Sequence, residues 1–164
     1  MPPVQGWARR KRLEFFQPQL VSPGRILEIG SGSGWVREAL SAAGHTDYAG
    51  VDLQPPADLV GDINQWRTLG LQPESFDTII AFEVVEHVDC FEVCRQLLRP
   101  GGKLLLTTPV PHMDWLLKIT EALGLNQRRT SPHDHLVDLT TVLGFRHKTI
   151  RIILGLGQWA VFTK

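Results

Sequence analysis

The stretch ILEIGSGSG, residues 26–34, constrains this chain more than any other segment. A short apolar run leads into Gly30, Gly32 and Gly34, and a helix-compatible run follows. Apolar residues bounded by glycine read as a buried strand. Glycines at alternate positions let the backbone turn tightly and come close to a ligand. Loops of this kind serve nucleotide cofactors at the carboxyl ends of parallel strands. A dinucleotide loop reads G-x-G-x-x-G, its last glycine allowing close packing of helix on strand. Counted from Gly30 the sixth position is Trp35, and from Gly32 it is Arg37, so that glycine is missing. The spacing is instead acidic-x-G-x-G-x-G from Glu28, which argues against nicotinamide chemistry.

The remaining chain alternates apolar runs with helical stretches. Strands are expected at 25–29, 46–52, 58–60, 76–82 and 103–108, with helices at 35–43 and 89–98. Pro100, Gly101 and Gly102 read as a turn. A further amphipathic helix is expected over 112–125, as one wall of an acceptor pocket or a cover for the sheet. Strands alternating with helices imply βαβ units, right-handed crossovers and a parallel sheet. The end differs: strand-like runs at 145–154 and 158–164 are joined by Gly155, Leu156 and Gly157, an antiparallel hairpin.

With 164 residues the chain fits one domain, 1–164, with a core over 22–164 and an N-terminal helix over about 6–20 as a candidate lid. Lys plus Arg equal Asp plus Glu at 17 each, so there is no global pull toward nucleic acid or an anionic membrane. The local basic run Arg9, Arg10, Lys11 and Arg12 reads as a solvated helix face. Cys90 and Cys94 read as reduced, half-buried core residues. With no apolar run near membrane-spanning length and no secretory signal, the cytoplasm is the expected location. Trp7, Trp66 and Trp115 fall at helical positions and are expected as core or half-core, and Trp159, in a terminal strand, is expected as core.

From Glu28 to Gly34 the chain resembles the first motif of the class I S-adenosylmethionine-dependent methyltransferases. Three other parts match in order: GVDLQ around Asp52, GDIN at 61–64, and the pair FDTIIAFEVVEHV at 76–88 and LLRPGGKLLLTTP at 97–109. The resemblance implies a Rossmann-like three-layer α/β sandwich, mostly parallel, closed by the C-terminal antiparallel hairpin. It implies S-adenosyl-L-methionine as cofactor. Glu28, Gly30, Gly32 and Gly34 would form its loop, and Asp52 would accept from the ribose hydroxyls. Asp62 would accept from the adenine amino group. Leu53, Ile63 and Phe82 would lie against the ligand.

Methyl transfer needs an aligned nucleophile, and a base only where the acceptor is as weak as a hydroxyl. His87, His112, Asp114, His133, Asp134 and His135 all follow the fourth or fifth strand and are candidates, with His87, His133 and His135 foremost. On a helical turn from Glu83, the side chains of Glu83, Glu86 and His87 share one face and can bind a divalent cation such as magnesium. The segment resembles the metal-binding part of the catechol-type O-methyltransferases of ubiquinone synthesis. It also resembles the small-RNA 2′-O-methyltransferases, in which a histidine of an H-x-H segment, here His133 or His135, completes the site. Two plainer readings stand beside these. The Glu86–His87 pair can border the cofactor without metal, and Asp134 can cap a helix. The expected function is O-methylation of a small molecule or sugar. The alternatives are methylation of RNA ribose, which neutral charge disfavours, and a cofactor-binding module serving a partner protein.

Overall fold

The computed structural model describes residues 3–20, 23–110, 137–153 and 157–164. Within them the chain forms α1 (Pro3–Phe16), β1 (Ile26–Ile29), α2 (Trp35–Ala42), β2 (Tyr48–Asp52) and β3 (Leu59–Val60). Then come β4 (Phe76–Phe82), α3 (Phe91–Leu97), β5 (Leu98–Pro109), β6 (His147–Ile153) and β7 (Gly157–Thr163). One sheet carries the seven strands in the order β3-β2-β1-β4-β5-β7-β6. β1 through β5 pair parallel, and β7 runs antiparallel to both β5 and β6. The expected α/β class, parallel sheet and closing hairpin are therefore present.

The sequence dictates this layering through strands that are apolar on both faces, as parallel strands covered by helices must be. All four residues of β1 are buried. Ile26, Ile80 and Leu105 pack on one face with Phe16 of α1 and with Val36 and Leu40 of α2. Leu27, Ile29, Ile79, Leu104 and Leu106 pack on the other with Cys94 and Leu97 of α3 and with Trp66. Each fully buried leucine contributes about 1.5–3 kcal/mol, so Leu104, Leu105 and Leu106 together hold β5 inside.

Several boundaries differ from expectation, each for a physical reason. α2 stops at Ala42 because Gly44 takes φ +89 and His45 N–H reaches back to Leu40 O at 3.0 Å. Pro100, Gly101 and Gly102 do not break β5. Leu98 pairs with Phe76 and Lys103 with Thr78, so the glycines form a bulge inside a longer strand. The N-terminal helix begins at Pro3 and gives way, at Pro18, to a 3-10 turn over Gln17–Gln19. Cys90 and Cys94 are free and fully buried rather than half-buried. Trp66 is core, but Trp7 on α1 is 45 % exposed, and Trp159 is only half-buried against Phe15 and Phe16. The expected helix over 112–125, Trp115, Gly155 and Leu156 lie outside the described residues. No helix among those described is long and apolar enough to cross a membrane.

Candidate active site

The chain leaves β1 toward β2 and β3 on one side, and leaves β4 toward β5 on the other. A crevice therefore opens at the carboxyl ends of β1 and β4, where such sheets bind ligands. Its first wall is the glycine loop. Gly30, Gly32 and Gly34 take φ of +74, +47 and +75, the left-handed region that favours glycine. A Cβ at Gly30 would stand 2.6 Å from Val84 Cγ2, so the loop packs directly on the turn that follows β4. Gly30 N–H donates to Val51 O at 2.8 Å, tying the loop to β2.

Asp52 ends β2 beside this loop. Its Oδ2 accepts from Gly32 N–H at 2.8 Å and its Oδ1 from Gln54 N–H at 3.2 Å. A carboxylate has about four acceptor positions, so two remain for hydroxyls of a ligand. Leu53, next along, is 71 % exposed and able to lie on a ring. Asp62 caps the short 3-10 turn Ile63–Gln65, its Oδ1 accepting from Asn64 N–H at 2.9 Å, with its other oxygen uncommitted in that cap. The side chain of Ile63 points into the core beside Val51 and Trp66, so only its backbone can face a ligand. Phe82, half-buried at the end of β4, stacks with Trp35 at 6.2 Å.

Beneath the loop Glu28 is buried and accepts from the Tyr48 hydroxyl. Burial pushes its carboxyl up to about 7, against the opposing pull of Tyr48 and Arg37. Arg37 lies over the Tyr48 ring and pairs with Asp58, which in turn accepts from Gly50 N–H at 2.7 Å. Glu28 thus braces the loop from below.

The second wall is built from side chains. Just past β4, Glu83 takes φ +57, and Val84 to His87 form a turn with His87 N–H on Val84 O at 2.8 Å. The expected helical turn therefore does not start at Glu83, because that residue still continues the strand: its N–H donates to Thr107 O at 2.8 Å. Glu83 Oε1 accepts from Thr107 Oγ1 at 2.7 Å and from an Arg12 Nη at 3.0 Å. Arg12 lies over the Phe82 ring, 5.3 Å from its centre, with only 19 % of its side chain exposed. Desolvation lowers its pKa, against the raising influence of Glu83 and then Glu86. Glu86 is buried, with Oε2 accepting from Thr108 Oγ1 at 3.1 Å and Oε1 buried without a partner. Burial first, and then the charge of Glu83, push its carboxyl up to about 8. His87 is exposed.

The structure thus gathers Glu28, Gly30, Gly32, Gly34, Asp52 and Phe82 around one crevice, with Glu83, Glu86 and His87 on its β4 side. Among the described residues no three histidine, cysteine or carboxylate side chains are grouped to hold a metal. Glu83 accepts from the Arg12 guanidinium, which occupies the side of the carboxylate that the magnesium set would use. His112, Asp114, His133, Asp134 and His135 lie outside the described residues. Three participants were not expected from sequence. Arg12 belongs to a run read as solvated, and only Glu83, 71 positions away, reveals its role. Thr107 and Thr108 look like the tail of an apolar strand, the one signal being two hydroxyls closing it.

A family model described as a methyltransferase domain matches residues 5–143. The ubiquinone biosynthesis O-methyltransferase of Xanthomonas euvesicatoria is 32% identical over 116 residues, covering 59% of this chain and 48% of that protein. The Xylella fastidiosa protein of the same name is 29% identical over the same length. The chain spans about half the length of the curated relatives it matches. In fold it is similar to a methyltransferase structure from Archaeoglobus fulgidus, with a TM-score of 0.72 at 16% identity, over 96% of this chain and 93% of that one. It is also similar to phosphoethanolamine N-methyltransferase 2 of Haemonchus contortus, a structure holding S-adenosylhomocysteine, with TM-score 0.61 and 15% identity over 94% of this chain and 52% of that one.

Proposed function

The chain belongs to the class I S-adenosylmethionine-dependent methyltransferase family, and on that premise we propose that it methylates a hydroxyl oxygen of a small molecule or sugar. The cofactor's fit is supported by the glycine cradle, which a Cβ at Gly30 would fill, and by the free acceptor positions of Asp52. S-adenosylmethionine supplies a methyl carbon already activated by its sulfonium. Gly30, Gly32 and Gly34 let the backbone approach it, Asp52 accepts from its ribose, and Leu53 and Asp62 border its base. Phe82 and α1 cover the crevice from the other side.

The observation that carries a hydroxyl acceptor is Glu86. Its Oε1 is buried and open, and a carboxyl raised to about 8 can hold a hydroxyl proton near neutral pH. The O-methyltransferase names of the curated relatives agree with that chemistry. His87, and His133 or His135, are the further proton-handling candidates.

The test uses labelled S-adenosylmethionine with a catechol, a sugar and a short RNA as acceptors. Transfer to an oxygen of the first or second is expected, and transfer to RNA ribose alone would replace this reading. Calorimetry with S-adenosylhomocysteine checks the cofactor half. Asp52→Ala removes charge-assisted hydrogen bonds worth roughly 1.5–3 kcal/mol each, so affinity is expected to fall about tenfold or more. Tighter binding of NAD than of S-adenosylhomocysteine would overturn the cofactor assignment.

A further inference from the structure

We propose that Arg12 is the resident cation of this site. Its guanidinium serves as the counter-charge to Glu83 that a divalent metal would otherwise be, and Arg12 and Glu86 together grip the acceptor hydroxyl. The hydroxyl part of this inference rests on the reading of the chain as an O-methyltransferase.

Glu83 Oε1 already accepts two hydrogen bonds, from Arg12 at 3.0 Å and Thr107 at 2.7 Å. The guanidinium lies over Phe82, 5.3 Å from the ring centre, with 19 % of the Arg12 side chain exposed. A divalent ion placed on Glu83 would lie against this fixed positive charge, and like charges at contact distance repel. Glu86 stands in the same cluster, where burial and the charge of Glu83 favour its protonated form, so Glu83 is the carboxylate that Arg12 chiefly balances. Arginine is well suited to such a place, being weakly hydrated, always charged and able to lie on an aromatic face.

Two polar atoms remain open. Arg12 Nε and Glu86 Oε1 are both buried, and neither has a hydrogen-bond partner among the described residues. Buried polar atoms without partners are uncommon and ask for an explanation. One of these is a donor and the other an acceptor. A hydroxyl needs that combination, since it donates one hydrogen and accepts through its oxygen. The turn carrying Glu86 packs through Val84 on Gly30, which sets that turn beside the glycine loop. Phe16 and Phe15, at the end of α1, pack against Phe82 and Trp159, so the helix that brings Arg12 is anchored in the outer core.

The test is a manganese titration of the full chain, free of cofactor and acceptor, read by electron paramagnetic resonance. The wild type is expected to show no saturable site. Arg12→Met keeps the apolar stem over Phe82 but removes the charge, and is expected to gain one manganese per chain, about tenfold or more tighter than any wild-type binding. Adding Glu83→Gln should abolish that gain, and Arg12→Lys should behave as wild type. A wild-type manganese site that Glu83→Gln removes would overturn the proposal, as would an Arg12→Met chain that folds by circular dichroism and gains nothing. Should Arg12→Met fail to fold, the wild-type and Glu83→Gln titrations decide. Since no methyl transfer is read, failure of the O-methylation reading leaves this result intact. A second arm reads that reaction: transfer to a catechol should survive chelator, and loss restored by magnesium would count against Arg12.

Discussion

Gly32 and Glu83 stand on neighbouring walls of one crevice and are held in opposite ways. The glycine wall is backbone tied to backbone and to a carboxylate 20 residues on, through Gly32 N–H and Asp52. The glutamate wall is side chain on side chain, with Arg12 reaching across 71 positions and Thr107 across 24. The first wall needs particular φ angles and two nearby carboxylates, those of Glu28 and Asp52, so a short local motif specifies most of it. The second needs α1, the turn after β4 and the end of β5 to arrive together. A wall of that kind can change its chemistry through single side chains while the sheet stays as it is. The division suits a domain that keeps one cofactor and varies its acceptor.

The largest expected effect tests whether the glycine wall is as intolerant as this contrast requires. Gly30→Ala places a Cβ 2.6 Å from Val84 Cγ2 at φ +74. Left-handed strain costs about 1–3 kcal/mol and overpacking another 1–3 kcal/mol, so roughly 2–6 kcal/mol of stability is at stake. Thermal unfolding should shift down by about 2–4 °C for each kcal/mol, and the distorted loop should bind S-adenosylhomocysteine far more weakly. Gly34→Ala is the comparison: it has φ +75 but no atom within 4 Å, so strain alone remains and the loss should be smaller. Equal behaviour of the two variants would show that contact with the β4 turn does not matter.

A middle-sized effect concerns the brace under the same wall. Burial raises the Glu28 carboxyl to about 7, whereas an unfolded chain leaves it near the ordinary value of about 4.3. The folded state therefore holds the proton more tightly. Its contribution to stability is fully present below the unfolded value and is lost as pH rises through about 7. Across that window stability should fall by up to about 1.4 kcal/mol per pH unit from this group. Glu28→Gln cannot titrate, so its unfolding temperature should vary less between those limits. Identical pH profiles for wild type and variant would show that Glu28 titrates normally.

The two walls also differed in how far the sequence disclosed them. β1, its glycines and β4 were readable because apolar runs and glycine spacing are local properties, and Phe76–Phe82 falls where the apolar run predicts it. Asp52 was readable because it closes a strand beside the loop. The run at residues 9–12 was not, because four basic residues on one helix look alike until the fold is known. Arg12 enters the site, Arg9 lies over Trp35, and Lys11 pairs with Glu14 on the surface. Glu83 is not legible as the end of the pairing, since the residue after a strand can extend it by one hydrogen bond and only then turn. Trp7 and Trp159 lie shallower than their positions predict, because an aromatic ring is as stable half-exposed against other rings as fully inside, and Trp159 packs against Phe15 and Phe16.

The smallest expected effect falls on the glutamate wall. Thr107 is fully buried, and its Oγ1 donates to Glu83 Oε1 at 2.7 Å while its carbonyl accepts from Glu83 N–H at 2.8 Å. Thr107→Val keeps the shape and the backbone bond and deletes only the hydroxyl. Glu83 retains Arg12, and with 42 % of its side chain exposed it can recruit water in place of the lost donor. The cost should be about 0.5–1.5 kcal/mol of stability, the ordinary worth of one hydrogen bond. Affinity for S-adenosylhomocysteine should stay within about twofold of wild type, less than 0.5 kcal/mol, because neither Gly32 nor Asp52 touches Thr107. The acceptor's KM should rise instead, as the Arg12–Glu83 pair loses one of its two supports. A tenfold loss of S-adenosylhomocysteine affinity in this variant would mean that the walls act as one unit, and that side chains after β4 help to set the cofactor loop.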